Sequence, residues 1–237
     1  MMKTNFEKVS FYNELIGNIK GSKTFFDKEA VEAQLSLIDE ELDELVCGFD
    51  LLSILDIRDA IADVLVTVYG LAHRTGINAD LTGANIENID DLIVCFPGLF
   101  IKGSEIDSKD SSILLSGVIR SFASLSKACE DELIEEIESG IFYIIFYSYC
   151  LAGVLRIDAD ADFDIVHKSN ISKFCVDENE VIETKKHYAA KGVGVFCRGN
   201  FPEVSVLSID DQYDDTGKFY KKGKQLKSAY WKAPEFK

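Results

Sequence analysis

Two short stretches in the first third of the chain concentrate acidic side chains at helical spacing. The first is Glu40-Glu41-x-x-Glu44, and the second is Asp59-x-x-x-Asp63. Residues three and four apart share one face of a helix, so each stretch is expected to present its carboxylates together. Carboxylates crowded into a partly buried site repel one another unless protons or cations compensate them. If the two helices pack together, the sequence therefore predicts a cation site.

The chemistry of oxygen ligands narrows the choice of cation. Hard oxygen ligands suit magnesium, manganese or calcium better than zinc. The sequence has neither the oxygen-ligand loop of a calcium-binding EF-hand nor the Glu-x-x-His motif of a di-iron carboxylate bundle. We therefore predict Mg²⁺, with Mn²⁺ as a substitute, because magnesium is normally bound together with substrate phosphates. The predicted metal ligands are Glu41, Glu44, Asp63 and Asp59.

Apolar residues at helical spacing accompany both acidic stretches, and they predict two helices packed in a bundle. Acidic residues on such helices usually form a solvated face, which is our interpretation of Asp39 and Asp43. Glu41, Glu44 and Asp63 instead sit beside the apolar stripe, and this position favours a metal role for them.

A resemblance to a known family gives these residues a context. The two acidic motifs, followed by Val-Tyr-Gly at 68–70, resemble the core of the MazG-like, all-α nucleoside triphosphate pyrophosphohydrolases. This superfamily includes phosphoribosyl-ATP pyrophosphohydrolase and the dimeric dUTPases. Its signature is Glu-Glu-x-x-Glu followed by Glu-x-x-Asp, and here Ala60 stands where the last glutamate is expected. Either Asp59 replaces that ligand or its coordination position goes to water.

Two later segments extend the resemblance across most of the chain. Residues 166–174 are similar to a His-x-Ser-Asn-Met-Ser-Lys segment of phage and bacterial members, and residues 216–230 are similar to their Asp-Gly-Lys-x-Leu-Lys-x-x-x-Tyr tail. Lysine ammonium groups and asparagine amides both donate to phosphate oxygens. The residues that the resemblance places as candidates near nucleotide phosphates are Asn170, Lys173, Lys224 and Lys227.

The resemblance implies magnesium-dependent hydrolysis of a nucleoside or deoxynucleoside triphosphate to the monophosphate and pyrophosphate. Glu40, the first glutamate of the motif, would orient or deprotonate the attacking water. One alternative is phosphoribosyl-ATP pyrophosphohydrolase, which cleaves the same kind of bond. The other is a nucleotide-binding sensor in which the missing ligand at Ala60 has weakened catalysis. The family also implies that two chains pair as a homodimer.

The sequence also repeats itself at an offset of eighty residues. Leu-Ala followed by Ile-x-Ala-Asp within 71–80 recurs within 151–160. In this register Ser139 and Tyr143 take the positions of the two aspartates, so the second copy lacks the acidic site. We hypothesise an internal duplication of a helical hairpin, with chance similarity between two amphipathic helices as the alternative. The hairpins would occupy residues 27–76 and, in degenerate form, 111–157.

These patterns together predict a mainly α protein. Residues 1–175 are expected to form a MazG-like helical bundle that contains both hairpins. Residues 176–237 are expected to form a small α+β extension with two short strands near 193–198 and 204–209 and a lysine-rich tail. If the duplication is real, one chain already supplies the bundle that family members build by dimerisation.

Composition limits the remaining classes of function. The net charge of −16 argues against nonspecific nucleic-acid binding, which needs a basic surface. The six cysteines lack Cys-x-x-Cys spacing, which favours reduced thiols, and the first residues lack the apolar core of a signal peptide. The longest apolar run, 141–155, is short for a membrane span. We therefore expect a cytoplasmic protein with neither a membrane nor a nucleic-acid partner.

Overall fold

The computed structural model describes residues 3–80 and 108–236. In these ranges the chain forms seven α-helices and five short β-strands. The helices are α1 (Asn5–Leu15), α2 (Lys28–Asp50), α3 (Ile54–Thr75), α4 (Ser108–Glu130), α5 (Ile134–Val154), α6 (Ala159–Ile171) and α7 (Glu178–Ala189). The strands are β1 (Val195–Arg198), β2 (Ser205–Ser208), β3 (Gln212–Tyr213), β4 (Phe219–Tyr220) and β5 (Gln225–Leu226). The prediction of a mainly α protein with a small C-terminal strand region is confirmed.

The described residues form two units. Unit 1 comprises residues 3–10, 19–80, 108–164 and 236, and unit 2 comprises residues 11–18 and 165–235. Unit 1 contains α2, α3, α4 and α5, unit 2 contains α7 and the five strands, and α1 and α6 contribute to both. The domain boundary that the sequence placed after residue 175 stays a prediction.

Helices α2 and α3 form a helical hairpin that buries the apolar stripe predicted for each of them. Ile38 on α2 is fully enclosed, as is Leu65 on α3. The side chain of Asp27 caps α2 by accepting a hydrogen bond from the Ala30 amide at 3.2 Å. Gly76 ends α3 in the left-handed conformation that glycine adopts without strain. Because these features depend on neighbouring residues, the position of the hairpin could be predicted from the sequence.

Helices α4 and α5 form a second hairpin, and α5 also packs against α3. Within the described ranges, α5 is the one helix long and apolar enough to cross a membrane by length and composition. Core helices pass the same test, and 56% of the apolar window of α5 is buried inside the protein. Ile137, Ile141 and Ile144 are among its enclosed residues. The packing of α5 is therefore that of a core helix.

The two hairpins share one backbone pattern at an offset of eighty residues. Helix α2 ends at Asp50 and helix α4 ends at Glu130, eighty positions later. In the first turn, the Ser53 amide donates to the Gly48 carbonyl at 3.0 Å. In the second turn, the Leu133 amide donates to the Ala128 carbonyl, also at 3.0 Å. The two turns are therefore equivalent in this backbone hydrogen bond as well as in their positions.

A pair of equivalent residues also meets where the hairpins pack together. The hydroxyls of Tyr69 on α3 and Tyr149 on α5 lie close enough for each tyrosine to affect the pKa of the other. The Tyr149 hydroxyl donates to Asp160 Oδ1 at 2.7 Å, and that oxygen also accepts from the Asn5 amide at 2.7 Å. Burial raises the pKa of both tyrosines, so both stay protonated at neutral pH. This network joins α1, α3, α5 and α6.

The turn of the first hairpin permits a test of backbone strain. Leu52 has a φ of 52° and is 87% exposed, so its side chain contributes little by burial. A non-glycine residue in the left-handed region is strained by roughly 1–2 kcal/mol, and asparagine tolerates this region better than leucine does. We therefore expect Leu52→Asn to raise the free energy of unfolding by about 0.5–1 kcal/mol in urea denaturation.

The neighbouring Leu51 supplies the control for this variant. Leu51 is also exposed, at 69%, but its φ of −83° is an ordinary right-handed value. Leu51→Asn makes the same chemical change without relieving strain, so we expect it to give no gain. An equal gain in both variants would contradict the explanation by strain.

Unit 2 contains a small antiparallel sheet in the order β1-β2-β5 and a separate hairpin of β3 and β4. Val195 lies opposite Ser208 in the register of the first pair, and Arg198 lies opposite Ser205. Strands β1 and β2 lie within the two strand segments that the sequence predicted. Helix α7 packs against both of these strands.

Candidate metal centre

Packing of α2 against α3 brings the predicted carboxylates together in what we call the acidic cluster. Its members are Glu40, Glu41, Glu44, Asp59 and Asp63. Glu41, Asp59 and Asp63 are partly buried, whereas Glu40 and Glu44 are exposed. The charges of the four other members all raise the pKa of Glu41. The structure therefore places Glu41 within electrostatic range of every other member.

Glu41 is the most strongly perturbed carboxyl group of the acidic cluster. Burial is the main cause and the charge of Asp63 the next, and together with the other members they raise the pKa of Glu41 to about 8. At neutral pH the Glu41 carboxyl accordingly holds a proton when no cation is present. Carboxylate ligands bind metals in the deprotonated form, so binding of a cation here would release that proton.

Asp59 has an oxygen that the described part of the chain does not satisfy. Its Oδ1 atom is buried and has no hydrogen-bond partner among the described residues. Burial, followed by the charges of Glu44, Asp56 and Asp162, raises the pKa of Asp59. A buried acceptor without a partner is destabilising by roughly 1–3 kcal/mol. A cation beside this oxygen would compensate both the missing partner and the negative charge.

Ala60, where the resemblance expects a glutamate, lies inside the helical core. Ala60 is only 1% exposed and belongs to the hydrophobic core, so a carboxylate at this position would be buried among apolar side chains. Asp59, one residue earlier, belongs to the acidic cluster instead. Whether Asp59 replaces the missing ligand or water takes its position stays a prediction.

The acidic cluster is held together in space without forming a ligand shell. Across residues 3–80 and 108–236, no group of three or more His, Cys, Asp or Glu side chains is positioned to hold a metal ion. The chemistry of the donors nevertheless fits Mg²⁺, because they are carboxylate oxygens and one of them is buried without a partner. Side-chain rotation would be needed to complete the shell. Metal binding by Glu41, Glu44, Asp63 and Asp59 stays a prediction.

An ion pair beside the acidic cluster was not predicted from the sequence. Arg58 Nε donates to Asp162 Oδ2 at 2.8 Å, and Arg58 Nη2 donates to Asp162 Oδ1 at 2.6 Å. The Asp162 side chain is only 2% exposed. This bidentate pair joins the start of α3 to α6. The pair fixes the side chain of Arg58, the residue immediately before Asp59. Arg58 and Asp162 are too distant in sequence for a local pattern to predict that they pair.

The residues predicted to approach phosphate belong to unit 2, whereas the acidic cluster belongs to unit 1. Lys173 and Asn170 lie together, because Lys173 Nζ donates to Asn170 Oδ1 at 2.5 Å. Lys227 Nζ lies 3.3 Å from the centroid of the Trp231 ring. Desolvation there and a neighbouring lysine lower the pKa of Lys227. Lys224 is exposed just before β5. Phosphate binding by these residues stays a prediction.

Comparison with known proteins identifies a relative of similar length. The chain is 29% identical over 254 residues to the uncharacterized protein L479 of Acanthamoeba polyphaga mimivirus. The alignment covers 98% of this chain and 94% of the relative. The similarity therefore includes both helical hairpins and the C-terminal strand region. No family model matches the chain. No solved structure matches it either.

Proposed function

We propose that this protein is a magnesium-dependent nucleoside triphosphate pyrophosphohydrolase of the MazG-like type. The observation that carries the proposal is the partly buried acidic cluster, in which Glu41 has a pKa of about 8 and Asp59 has an unpartnered oxygen. Such a cluster is destabilising in a folded protein unless protons or a cation neutralise it. The reaction itself is inferred from the resemblance of the motif spacing to that of the MazG-like family.

The acidic cluster divides into two proposed roles. Glu41, Glu44, Asp63 and Asp59 would hold the metal. Bound Mg²⁺ supplies charge neutralisation for the phosphates and increases the acidity of water. Glu40 is exposed at the edge of the cluster, where its carboxylate would accept a proton from the attacking water.

The proposed reaction is a single displacement at phosphorus. The water oxygen forms a bond to the α-phosphorus, and the bond from that phosphorus to the α,β-bridging oxygen breaks. The electron pair of the broken bond leaves with pyrophosphate, and the proton of the water passes to Glu40. Asn170, Lys173, Lys224 and Lys227 are proposed to contact phosphate oxygens. In this chain no serine or cysteine nucleophile is required.

Pyrophosphate release tests the proposal directly. We expect the wild-type chain with Mg²⁺ to release pyrophosphate and monophosphate from at least one member of a panel of ribonucleoside and deoxynucleoside triphosphates. Phosphoribosyl-ATP belongs in the panel because the related pyrophosphohydrolase cleaves the same type of bond. Glu41→Gln should reduce the rate roughly 100-fold or more, the usual effect of removing one preorganised electrostatic group.

Asp43→Asn is the matched control for this assay. Asp43 is exposed on the same helix, two residues from Glu41, and is absent from the charges that perturb Glu41. We expect this variant to retain the activity of the wild type. Equal losses in Glu41→Gln and Asp43→Asn would contradict the assignment of the acidic cluster as the active centre.

A nucleotide sensor is the second candidate function. Two observations favour it: Ala60 is buried in place of a ligand, and no ligand shell is formed among the described residues. A sensor would bind nucleoside triphosphate with Mg²⁺ and leave it intact. Nucleotide binding without pyrophosphate release from any panel member would overturn the enzyme proposal and support the sensor.

We also propose that the two hairpins arose by internal duplication. Support comes from the equivalent ends of α2 and α4, from the matching turn hydrogen bonds and from the proximity of Tyr69 and Tyr149. One chain would then contain a bundle that the family builds from two chains, while a homodimer stays compatible with this arrangement. A cytoplasmic location, without nucleic-acid or membrane partners, completes the proposal.

A further inference from the structure

The second hairpin carries a groove at the position that corresponds to the acidic cluster. The groove lies between α4 and α5 and has a volume of about 720 Å³. At the offset of eighty, all five members of the acidic cluster have their counterparts among the residues that line it. In the order of the cluster, these counterparts are Arg120, Ser121, Ser124, Ser139 and Tyr143.

These replacements change the groove from an acidic site to one with neutral and positively charged side chains at the corresponding positions. Hydroxyl groups and a guanidinium stand where the first hairpin has carboxylates, and Lys127 adds a second cation to the lining. The Arg120 Nε atom donates to the Ser116 carbonyl at 3.1 Å, which anchors the side chain on α4. At the end near the turn, Lys127 pairs with Asp131 at 3.0 Å, and Glu136 also lines the groove. Arg120 is therefore the cation best placed for an anion.

Aromatic rings form one wall of the groove. The centroids of Tyr143 and Tyr147 lie 6.5 Å apart with an angle of 33° between the rings. Tyr147 packs so closely on α4 that a Cβ atom at Gly117 would lie 2.7 Å from its ring. Tyr143 is 49% exposed and offers its ring to a ligand. A flat ring could stack there, because base–aromatic stacking tolerates any base.

We propose that this groove binds a nucleoside monophosphate as a second, non-catalytic site. The base would stack on Tyr143, and the phosphate would contact Arg120. The hydroxyls of Ser121 and Ser139 donate to the Gly117 and Glu135 carbonyls at 2.8 and 2.9 Å, so they would accept hydrogen bonds from the sugar hydroxyls. The volume lies in the range of about 300–1,000 Å³ typical of small-molecule sites. Because the groove has no counterpart of the metal ligands, binding here needs no divalent cation. The proposal goes beyond the hydrolysis proposed above and does not depend on it.

Binding without metal separates this groove from the acidic cluster. Equilibrium dialysis in EDTA would measure binding of AMP, GMP, CMP and UMP to the full chain, with inorganic phosphate as a further probe. We expect at least one nucleotide to bind, and Glu41→Gln to bind it as the wild type does. Arg120→Ala and Tyr143→Ala should each weaken binding roughly tenfold or more, as expected for loss of a charge-assisted contact or of stacking.

Lys185→Ala is the control for loss of an exposed positive charge, because Lys185 lies on α7 in unit 2. It should leave binding unchanged. Arg120 and Tyr143 are themselves exposed, and far-UV circular dichroism would verify that their variants remain folded. The proposal is overturned if no nucleotide binds, if folded Arg120→Ala and Tyr143→Ala bind as the wild type does, or if inorganic phosphate binds as tightly as the nucleotides.

Discussion

Glu41→Gln is expected to raise the free energy of unfolding by about 2 kcal/mol at pH 8 when divalent cations are absent. The physical reason is the partly buried position of Glu41 beside four other carboxylates, which raises its pKa to about 8. Glutamine keeps the size of the side chain and cannot ionise. Glu41 is partly exposed, and screening by solvent makes this energy smaller than the one that the full pKa shift would give.

The direction of the pH dependence follows from proton binding. In the unfolded chain the Glu41 carboxyl ionises near its ordinary pKa of 4.5, whereas in the folded chain it holds its proton up to about pH 8. The folded state therefore binds more protons between these two values. Ionisation of Glu41 is therefore expected to lower the stability of the wild type as the pH rises from about 4.5 to about 8. Glu41→Gln should remove most of this decline, leaving the part that Asp59 contributes through its own raised pKa.

Urea denaturation in EDTA at pH 5 and pH 8 would measure the effect. The expected difference between Glu41→Gln and the wild type is large at pH 8 and small at pH 5. Asp43→Asn should follow the wild type at both values. Added Mg²⁺ should then stabilise the wild type more than Glu41→Gln, since a ligand that binds the folded state stabilises it. An identical pH dependence of Glu41→Gln and wild type would disprove the electrostatic account.

Arg58→Met is expected to lower the free energy of unfolding by about 3–5 kcal/mol, the usual result of breaking a buried ion pair on one side. The variant leaves the carboxylate of Asp162 almost completely enclosed without its bidentate partner. Methionine retains most of the length of the arginine stem, so the loss reflects mainly the charge. Thermal and urea denaturation at pH 7 would measure it.

Two further variants separate this effect from a general loss of packing. Lys127→Met removes a lysine from the exposed pairs with Glu130 and Asp131, and such pairs contribute roughly 0–1 kcal/mol. The double variant Arg58→Met/Asp162→Leu removes both charges, including the buried carboxylate of Asp162, and should recover much of the stability lost in Arg58→Met. If Lys127→Met were as destabilising as Arg58→Met, or if the double variant recovered nothing, burial of the pair would not be the cause.

Local sequence signals were sufficient to predict the first hairpin and its acidic cluster. The apolar stripe containing Ile38 and Leu65 specifies which faces of α2 and α3 are buried, and helical spacing then places Glu41 beside them. The cap of α2 is equally local, because Asp27 accepts its hydrogen bond from Ala30, three residues further along the chain. Each of these features is determined within one or two helical turns.

Features that depend on distant parts of the chain were not predictable in the same way. The partner of Arg58 lies on α6, and no spacing rule connects the two. Whether position 59 or 60 faces the cluster depends on the rotation of α3 in the bundle, which buries Ala60. The groove on the second hairpin lacks charged motifs at ligand spacing, and only the packing of α4 on α5 forms it. Each of these features is determined by tertiary packing and cannot be predicted from local periodicity alone.

The contact between Tyr69 and Tyr149 has a consequence for how the chain could have evolved. Under the proposed duplication, these equivalent residues would lie near a local twofold axis, as they do in a symmetric dimer. In a dimer of identical chains, every substitution appears in both halves at once, so a change that removes an acidic ligand removes it twice. Once both hairpins belong to one polypeptide, each can accept substitutions independently. Fusion would have allowed one hairpin to keep its carboxylates while the other exchanged them for serine, tyrosine and arginine.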